Sequence, residues 1–133
     1  MTSGEKVLVV DDEEGMREFL TYMLEGESYQ VSTAASGLEA LEKLRQEEFA
    51  LVLADIKMPG IDGLEMLRRI KEIDEQTVVV VMTAYASLDT AIKAIKFDAY
   101  DYLVKPFPDT DKVLNVIEKG LARHYELKSG EVI

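Results

Sequence analysis

Three features of the sequence predict an α/β fold built on a doubly wound parallel sheet. Short apolar runs alternate with segments of helical spacing, a pattern typical of parallel strands joined by crossover helices. Five such units can be counted within 133 residues, a length that suits one domain. Hydrophobic residues make up 47% of the chain, which is enough to form a core despite the high net charge.

Five strands are predicted from the apolar runs, in chain order at Val7–Val10, Tyr29–Thr33, Phe49–Ala54, Val78–Met82 and Ala99–Val104. The first, third and fourth runs are continuously apolar, as expected of strands that are buried on both faces. The second and fifth alternate between apolar and polar residues, which suits the edges of a sheet. Together with right-handed crossovers, this pattern predicts the strand order 2-1-3-4-5.

Each predicted strand is followed by a helix whose apolar residues recur at three- and four-residue spacing. Ser36 and Ser87 can cap the second and fourth helices, Gly60 and Gly63 break the chain before the third, and the fifth ends before Gly130. The predicted apolar faces are Met16, Phe19, Leu20, Met23 and Leu24; Leu38, Leu41 and Leu44; Met66, Leu67, Ile70 and Ile73; Leu88, Ala91, Ile92 and Ile95; and Val113, Val116, Ile117 and Leu121.

Charge and composition narrow the classes of partner. Lys and Arg number 15 and Asp and Glu 26, so the formal net charge is −11, which repels phosphate backbones and anionic lipids. No apolar run approaches the ~20 residues of a membrane span, and the start lacks a signal-peptide pattern. The chain has no cysteine, and its single histidine, His124, lacks partners for a metal site and is interpreted as an exposed helix residue. We expect a soluble cytoplasmic protein that binds neither nucleic acid nor membranes directly.

Polar side chains follow four of the five predicted strands. Asp11 and Asp12 come directly after the first strand, Asp55 after the third, Thr83 after the fourth and Lys105 after the fifth. Taken singly, each has an ordinary structural explanation, such as a carboxylate that caps a helix. The carboxyl ends of parallel strands meet at one edge, however, beside the point where strand order reverses. The sequence therefore predicts that these side chains converge there.

Carboxylates gathered at one edge need a positive charge to offset their repulsion, since two of them ~4 Å apart repel by roughly 4 kcal/mol at an effective dielectric of 20. Lys105 supplies one charge, and a hard divalent cation such as Mg²⁺, bridging Asp12 and Asp55, would supply the rest. An aspartate beside a metal can accept a phosphoryl group, with Lys105 and Thr83 contacting its oxygens. The chain has no nucleotide-binding glycine loop, so the donor would be another phosphorylated protein or a small phosphorylated molecule.

With these residues in place, the chain resembles the receiver domain of two-component response regulators over residues 5–125. It is most similar to receivers of bacterial enhancer-binding transcriptional activators of the nitrogen-regulation type. The motifs that carry the resemblance are D-D at 11–12, D-I-K-M-P-G-I-D-G at 55–63, M-T-A-Y at 82–85 and D-Y-L-V-K-P-F at 101–107. The resemblance implies the flavodoxin-like receiver fold, with a receiver domain at residues 1–127. Residues 128–133 would be a C-terminal tail or the start of a linker.

The resemblance also implies roles for the site residues. Asp55 would be the phosphoacceptor for a sensor histidine kinase, assisted by Lys105 and Thr83, and Thr83 and Tyr102 would form a conformational switch. The Lys105–Pro106 peptide bond would be cis. The implied Mg²⁺ ligands are Asp11, Asp12, Asp55 and the backbone carbonyl of Lys57.

In this interpretation the chain is a phosphorelay component that assists its own phosphorylation and dephosphorylation, and not an enzyme with separate substrates. Signal transduction would proceed to an output domain or downstream protein, in transcription regulation, through the fourth helix, fifth strand and fifth helix. A phosphorylation-dependent homodimer is one form that this output could take.

Three other functions stay open. A Mg²⁺-dependent hydrolase with an aspartyl-phosphate intermediate would share the same carboxylates, lysine and threonine, but Lys57 stands two residues beyond Asp55, where turnover would need an acid. A phosphorylation-independent interaction module would keep the acidic site as a remnant and would not bind Mg²⁺. A flavin-binding domain of similar topology is disfavoured, since the acidic residues 11–14 would repel the cofactor phosphate.

Overall fold

A computed structural model describes residues 4–107 and 109–130 of the chain, in which five strands alternate with five helices. The elements are β1 Lys6–Val10, α1 Glu14–Glu25, β2 Gln30–Ala34, α2 Gly37–Gln46, β3 Leu51–Asp55, α3 Gly63–Ile73, β4 Val78–Thr83, α4 Leu88–Lys96, β5 Asp101–Val104 and α5 Thr110–Ser129. None of the described helices is long and apolar enough to cross a membrane.

The sheet is parallel throughout and has the order β2-β1-β3-β4-β5, which confirms the predicted fold class and topology. Every residue of β3 and β4 is buried, as the unbroken apolar runs indicated. In register, Val10 lies opposite Ala54, Asp55 opposite Met82, and Thr83 opposite Val104. The carboxyl ends of the four strands β1, β3, β4 and β5 therefore lie at one edge.

Alternate residues of the strands point to opposite faces of the sheet and form two cores. On one face, Leu8 and Val52 pack among buried residues of α2, α3 and α4. On the other face, Val9 and Leu53 pack among buried residues of α1 and α5. Burial on both faces holds the central strands in place, and full burial of each large aliphatic side chain stabilises the fold by about 1.5–3 kcal/mol.

The predicted helix faces are wider than the surface that the sheet covers. Phe19, Leu38 and Ile73 belong to these faces, yet each is exposed in the structure. They flank the buried stripes of α1, α2 and α3, and helical spacing alone does not define where the covered part of a stripe ends.

Helix α4 presents most of its predicted apolar face to solvent. Ala94 is its buried residue, whereas Leu88, Ile92 and Ile95 are 77%, 53% and 78% exposed. The apolar grouping is as predicted, but the sheet does not cover it. Leu88, Ile92 and Ile95 together form the α4 face.

His124 is buried, so its interpretation as an exposed helix residue was wrong. It lies three residues after the buried Leu121 and therefore on the same side of α5, which continues over the start of β4. Its Nδ1 atom lies 2.7 Å from the carbonyl oxygen of Gln76. Because a carbonyl oxygen can only accept a hydrogen bond, Nδ1 carries the proton.

We expect His124→Phe to lower the free energy of unfolding by about 1–2 kcal/mol, because the ring volume is kept while the Gln76 carbonyl loses its donor. Urea unfolding at neutral pH would measure the change. His124→Asn, which can still offer an N–H at the Nδ1 position but gives up the ring volume, is the control for the hydrogen bond. Equal stability of His124→Phe and the wild type would contradict this account.

Helix α5 ends at Ser129, and Gly130 caps it in the left-handed region at φ 75°, so the end before Gly130 is as predicted. The segment predicted as a tail or linker, residues 128–133, therefore starts within this helix. Its last part, residues 131–133, lies outside the described residues. The boundary of the domain at residue 127 stays a prediction.

Candidate functional site

Three carboxylates meet at the carboxyl edge of the sheet. Asp11 and Asp12 directly follow β1 and Asp55 ends β3, and each offers one oxygen in a group whose members lie within 4.8 Å of one another. Since β1 and β3 are neighbours, the residues after Val10 and Ala54 emerge side by side. Asp11 and Asp55 are buried and Asp12 is exposed. Carboxylate oxygens in this number are the donors that a hard cation such as Mg²⁺ prefers, so the residues present fit that ion.

Lys105 reaches this group from the end of β5. Its Nζ atom lies 2.8 Å from Oδ2 of Asp11 and 3.4 Å from Oδ2 of Asp55, and its side chain is 8% exposed. Burial alone would lower the pKa of Lys105, but hydrogen bonding and attraction to Asp11, followed by the charge of Asp55, outweigh burial and raise it. The backbone N–H of Lys105 donates to the carbonyl oxygen of Thr83 at 2.8 Å. The Lys105–Pro106 peptide bond is cis, as the resemblance implied.

Burial raises the pKa of the Asp55 carboxyl above its ordinary value. The charge of Lys105 opposes this shift, the charge of Asp11 adds to it, and hydrogen bonds from Lys105 and from the backbone N–H of Lys57 oppose it. The net shift is upward, so Asp55 holds a proton more readily than a solvated aspartate. A second cation would stabilise the ionised form of Asp55, because Lys105 is shared between the carboxylates of Asp11 and Asp55.

Asp11 is held by contacts from several elements. Its Oδ1 accepts from the backbone N–H of Glu13 at 2.9 Å, and its own N–H donates to Ala34 on β2 at 3.1 Å. Its carbonyl oxygen accepts from Nη1 of Arg17 at 2.7 Å. Asp11 is thus an anchor of the β1–α1 loop, and the exposed Asp12 and the end of β3 offer the more accessible oxygens. The Arg17 contact was missed from the sequence, where the residue is one of many charged positions on helices.

Thr83 ends β4 beside the carboxylates. It lies one residue beyond Met82, which pairs with Asp55, and its side chain is buried. Its hydroxyl oxygen accepts from the backbone N–H of Tyr85 at 3.0 Å, which leaves the hydroxyl hydrogen able to donate.

Tyr102 is not brought to the carboxylates. Its hydroxyl lies 2.7 Å from the hydroxyl of Thr90 and accepts from the backbone N–H of Ser87 at 3.3 Å, so it connects β5 to the first turn of α4. Thr90 was missed by the sequence analysis, since no motif marks it. Lys57 has an exposed side chain and contributes its backbone N–H to Asp55, and the predicted role of its carbonyl stays a prediction.

A doubly wound parallel sheet with an acidic cluster and a largely buried lysine side chain at its switch point defines a class of α/β proteins with a polar site at the carboxyl edge. Within that class the chain belongs to the response regulator receiver domain family, whose family model matches residues 7–118. This confirms the resemblance to receivers of two-component response regulators. The chain is a receiver domain related to transcriptional regulators.

Two similar proteins differ in how much of their length the chain spans. The transcriptional regulatory protein ZraR of Klebsiella oxytoca is 46% identical over 132 residues, covering 98% of this chain and 29% of that protein. Sporulation initiation phosphotransferase F of Bacillus subtilis (strain 168) is 43% identical over 118 residues, covering 89% of this chain and 94% of that protein. The chain therefore spans less than a third of the first relative and nearly all of the second.

A solved structure agrees with the fold. The solution structure of the beryllofluoride-activated NtrC4 receiver domain dimer matches with a TM-score of 0.85 and 39% identity, and the match covers 90% of this chain and 98% of that one.

Proposed function

We propose that Asp55 accepts a phosphoryl group from a phosphorylated histidine kinase and that this chain relays the signal to an output domain or partner that regulates transcription. The observation that carries the proposal is the convergence of Asp12, Asp55 and Lys105, with Lys105 Nζ 3.4 Å from Asp55 Oδ2. Membership of the receiver family supports it. The roles of the individual residues are part of the proposal.

Phosphoryl transfer would proceed by attack of an Asp55 carboxylate oxygen on the phosphorus of the donor. The oxygen–phosphorus bond forms while the bond from phosphorus to the donor's imidazole nitrogen breaks, and that nitrogen keeps the electron pair. Lys105 Nζ pairs with one phosphoryl oxygen and the Thr83 hydroxyl donates to another. Asp11, Asp12, Asp55 and the Lys57 carbonyl would hold Mg²⁺, which would neutralise charge on the transferred group.

Switching would begin when the Thr83 hydroxyl is drawn toward the phosphoryl group on Asp55. This movement would alter the hydrogen bonds that join the Tyr102 hydroxyl to Ser87 and Thr90 at the start of α4. The α4 face, with the half-exposed Val104 of β5, gives a surface for an output partner or a second copy of the chain. The similar NtrC4 receiver was solved as a dimer in its beryllofluoride-activated form, which supports a phosphorylation-dependent homodimer here.

We expect Thr90→Val to loosen the first turn of α4, because it removes the hydroxyl that lies 2.7 Å from the Tyr102 hydroxyl, donates to the Ser87 carbonyl oxygen at 3.1 Å and lies 3.0 Å from Ser87 Oγ. Each such hydrogen bond contributes about 1 kcal/mol, and the substitution removes more than one of them. The amides of Ser87 and of the first turn should then exchange with solvent up to about tenfold faster in hydrogen-exchange measurements. Thr90→Ser, which keeps the hydroxyl, should exchange at the wild-type rate. Wild-type exchange in Thr90→Val would show that the Thr90 hydroxyl does not hold the start of α4.

The proposed function is tested by incubating the chain with acetyl phosphate, with Mg²⁺ or with EDTA, and recording the intact mass. We expect a single phosphoryl group to be added only when Mg²⁺ is present. Repeated turnover of small phosphate esters would instead favour the hydrolase. Absence of both labelling and Mg²⁺ binding would favour an interaction module.

A further inference from the structure

Helix α3 begins directly against the backbone of the candidate phosphoacceptor. Gly63 is its first residue, and the backbone N–H of Gly63 donates to the carbonyl oxygen of Ile56 at 2.8 Å. A Cβ atom on Gly63 would lie 2.8 Å from Cα of Ile56 and 2.9 Å from the carbonyl carbon of Asp55, and closer still to the carbonyl oxygen of Asp55. Real Cβ atoms essentially never approach other atoms within 3.0 Å. Only glycine allows this approach.

The Asp55–Ile56 peptide contacts Gly63 through its carbonyl group and is also held through its N–H group. The backbone N–H of Ile56 donates to Met82 on β4 at 2.9 Å, which continues the sheet past Asp55. The start of α3 is itself fixed, since the Asp62 side chain caps it by accepting from the backbone N–H of Glu65 at 2.9 Å. The Asp55–Ile56 peptide is therefore clamped between β4 and the first turn of α3.

We propose that Gly63 is a positioning residue for phosphoryl transfer. Its missing side chain lets the start of α3 lie against the Asp55–Ile56 peptide, which sets the place of the Asp55 carboxylate relative to Asp12 and Lys105. This inference depends on the proposed function, because it concerns the same phosphoacceptor. The sequence marked Gly63 only as a residue that breaks the chain before a helix.

The crowding that a Cβ would create cannot be relieved by a change of rotamer, because the atoms it meets belong to the backbone. To restore ordinary contact, which begins near 3.4 Å, the Asp55–Ile56 peptide or the whole start of α3 must move by at least 0.6 Å relative to Ile56 Cα, and by more relative to the carbonyl oxygen of Asp55. A displacement of ~1 Å at a reacting group can cost about 100-fold in rate. We therefore expect Gly63→Ala to lower the initial rate of phosphorylation by acetyl phosphate at least ~10-fold. Its affinity for Mg²⁺ should be weaker as well.

Gly120→Ala is the matched control. Gly120 is also a helical glycine, and a Cβ there would lie 2.7 Å from Cδ1 of Leu51 and 3.3 Å from Cγ1 of Val78. These are side-chain atoms of the core beneath α5, away from the carboxylates. Gly120→Ala should therefore change stability while leaving the phosphorylation rate and the Mg²⁺ dissociation constant at their wild-type values. A Gly63→Ala variant with wild-type rate and wild-type Mg²⁺ affinity would overturn the inference.

A second pair of variants tests the same contact without adding an atom beside Asp55. Asp62→Ala and Asp62→Asn both remove the charge, but only asparagine retains the ability to cap α3. If the start of α3 positions Asp55, isothermal titration with Mg²⁺ should give a severalfold weaker dissociation constant for Asp62→Ala than for Asp62→Asn. Equal constants would overturn the inference, even if Gly63→Ala fails to fold. Failure of the wild type to become phosphorylated would instead contradict the proposed function.

Discussion

Replacement of Asp55 by asparagine is expected to abolish phosphoryl incorporation and, at the same time, to make the domain more stable. An amide does not attack phosphorus as a carboxylate does, so intact-mass measurements with acetyl phosphate and Mg²⁺ should show no added group. Asp89→Asn, which neutralises an exposed carboxylate on α4, should be labelled like the wild type. Labelling that persists in Asp55→Asn would move the phosphoacceptor to another residue.

The gain in stability follows from the raised pKa of Asp55. Burial, with a further contribution from Asp11, makes the folded state bind the proton more tightly than the unfolded state. As the pH rises from the ordinary aspartate pKa of 3.8 through the raised value, the free energy of unfolding therefore falls, and the loss is complete above that value. Asparagine does not ionise, so the free energy of unfolding of Asp55→Asn does not show this fall. Its advantage over the wild type should grow across that pH window and persist at neutral pH.

Urea unfolding at a series of pH values in EDTA measures this advantage. Added Mg²⁺ should reduce the stability advantage of Asp55→Asn. The cation binds the folded wild type more tightly than the folded variant and therefore stabilises the wild type more. A variant that is less stable than the wild type at neutral pH in EDTA would contradict the electrostatic account of the site.

The fold could be predicted because strands buried on both faces have a distinctive composition. The run Val78–Met82 identifies a central strand without any knowledge of its neighbours, and the order of such runs fixes the sheet edge at which Asp11, Asp55 and Lys105 emerge. The convergence of the candidate site is thus a consequence of topology. It needs no information about individual side-chain contacts.

The features that could not be predicted depend on contacts between elements. His124 is buried because α5 continues over the start of β4, and helical spacing does not show which extra turn the sheet covers. The Tyr102 hydroxyl could have faced several neighbours, and its bond to Thr90 follows from the placement of α4. Gly63 has the sequence signature of any helix start, whereas its contact with Asp55 depends on how closely α3 approaches the end of β3.

Replacement of Lys105 by methionine should lower both stability and phosphorylation. The side chain is nearly buried and its Nζ atom pairs with Asp11 at 2.8 Å, and the Asp11 side chain is 0% exposed. Removing one partner of a buried ion pair typically costs about 3–5 kcal/mol, and the open edge of the site suggests the lower figure of ~3 kcal/mol. Because folding raises the pKa of Lys105, its contribution is fully present at neutral pH and is lost only as the pH rises past the ordinary value of 10.5.

The phosphorylation rate of Lys105→Met should fall about 100-fold or more, as expected when a group that stabilises developing charge is removed. A double-mutant cycle with Asp55→Asn separates the two effects of the lysine on stability. Lys105→Met should cost less in the Asp55→Asn background, because only Asp11 is then left without its cation. Equal costs in both backgrounds would mean that Lys105 stabilises the fold through Asp11 alone. Its 3.4 Å approach to Asp55 would then have to be explained by phosphoryl transfer and not by stability.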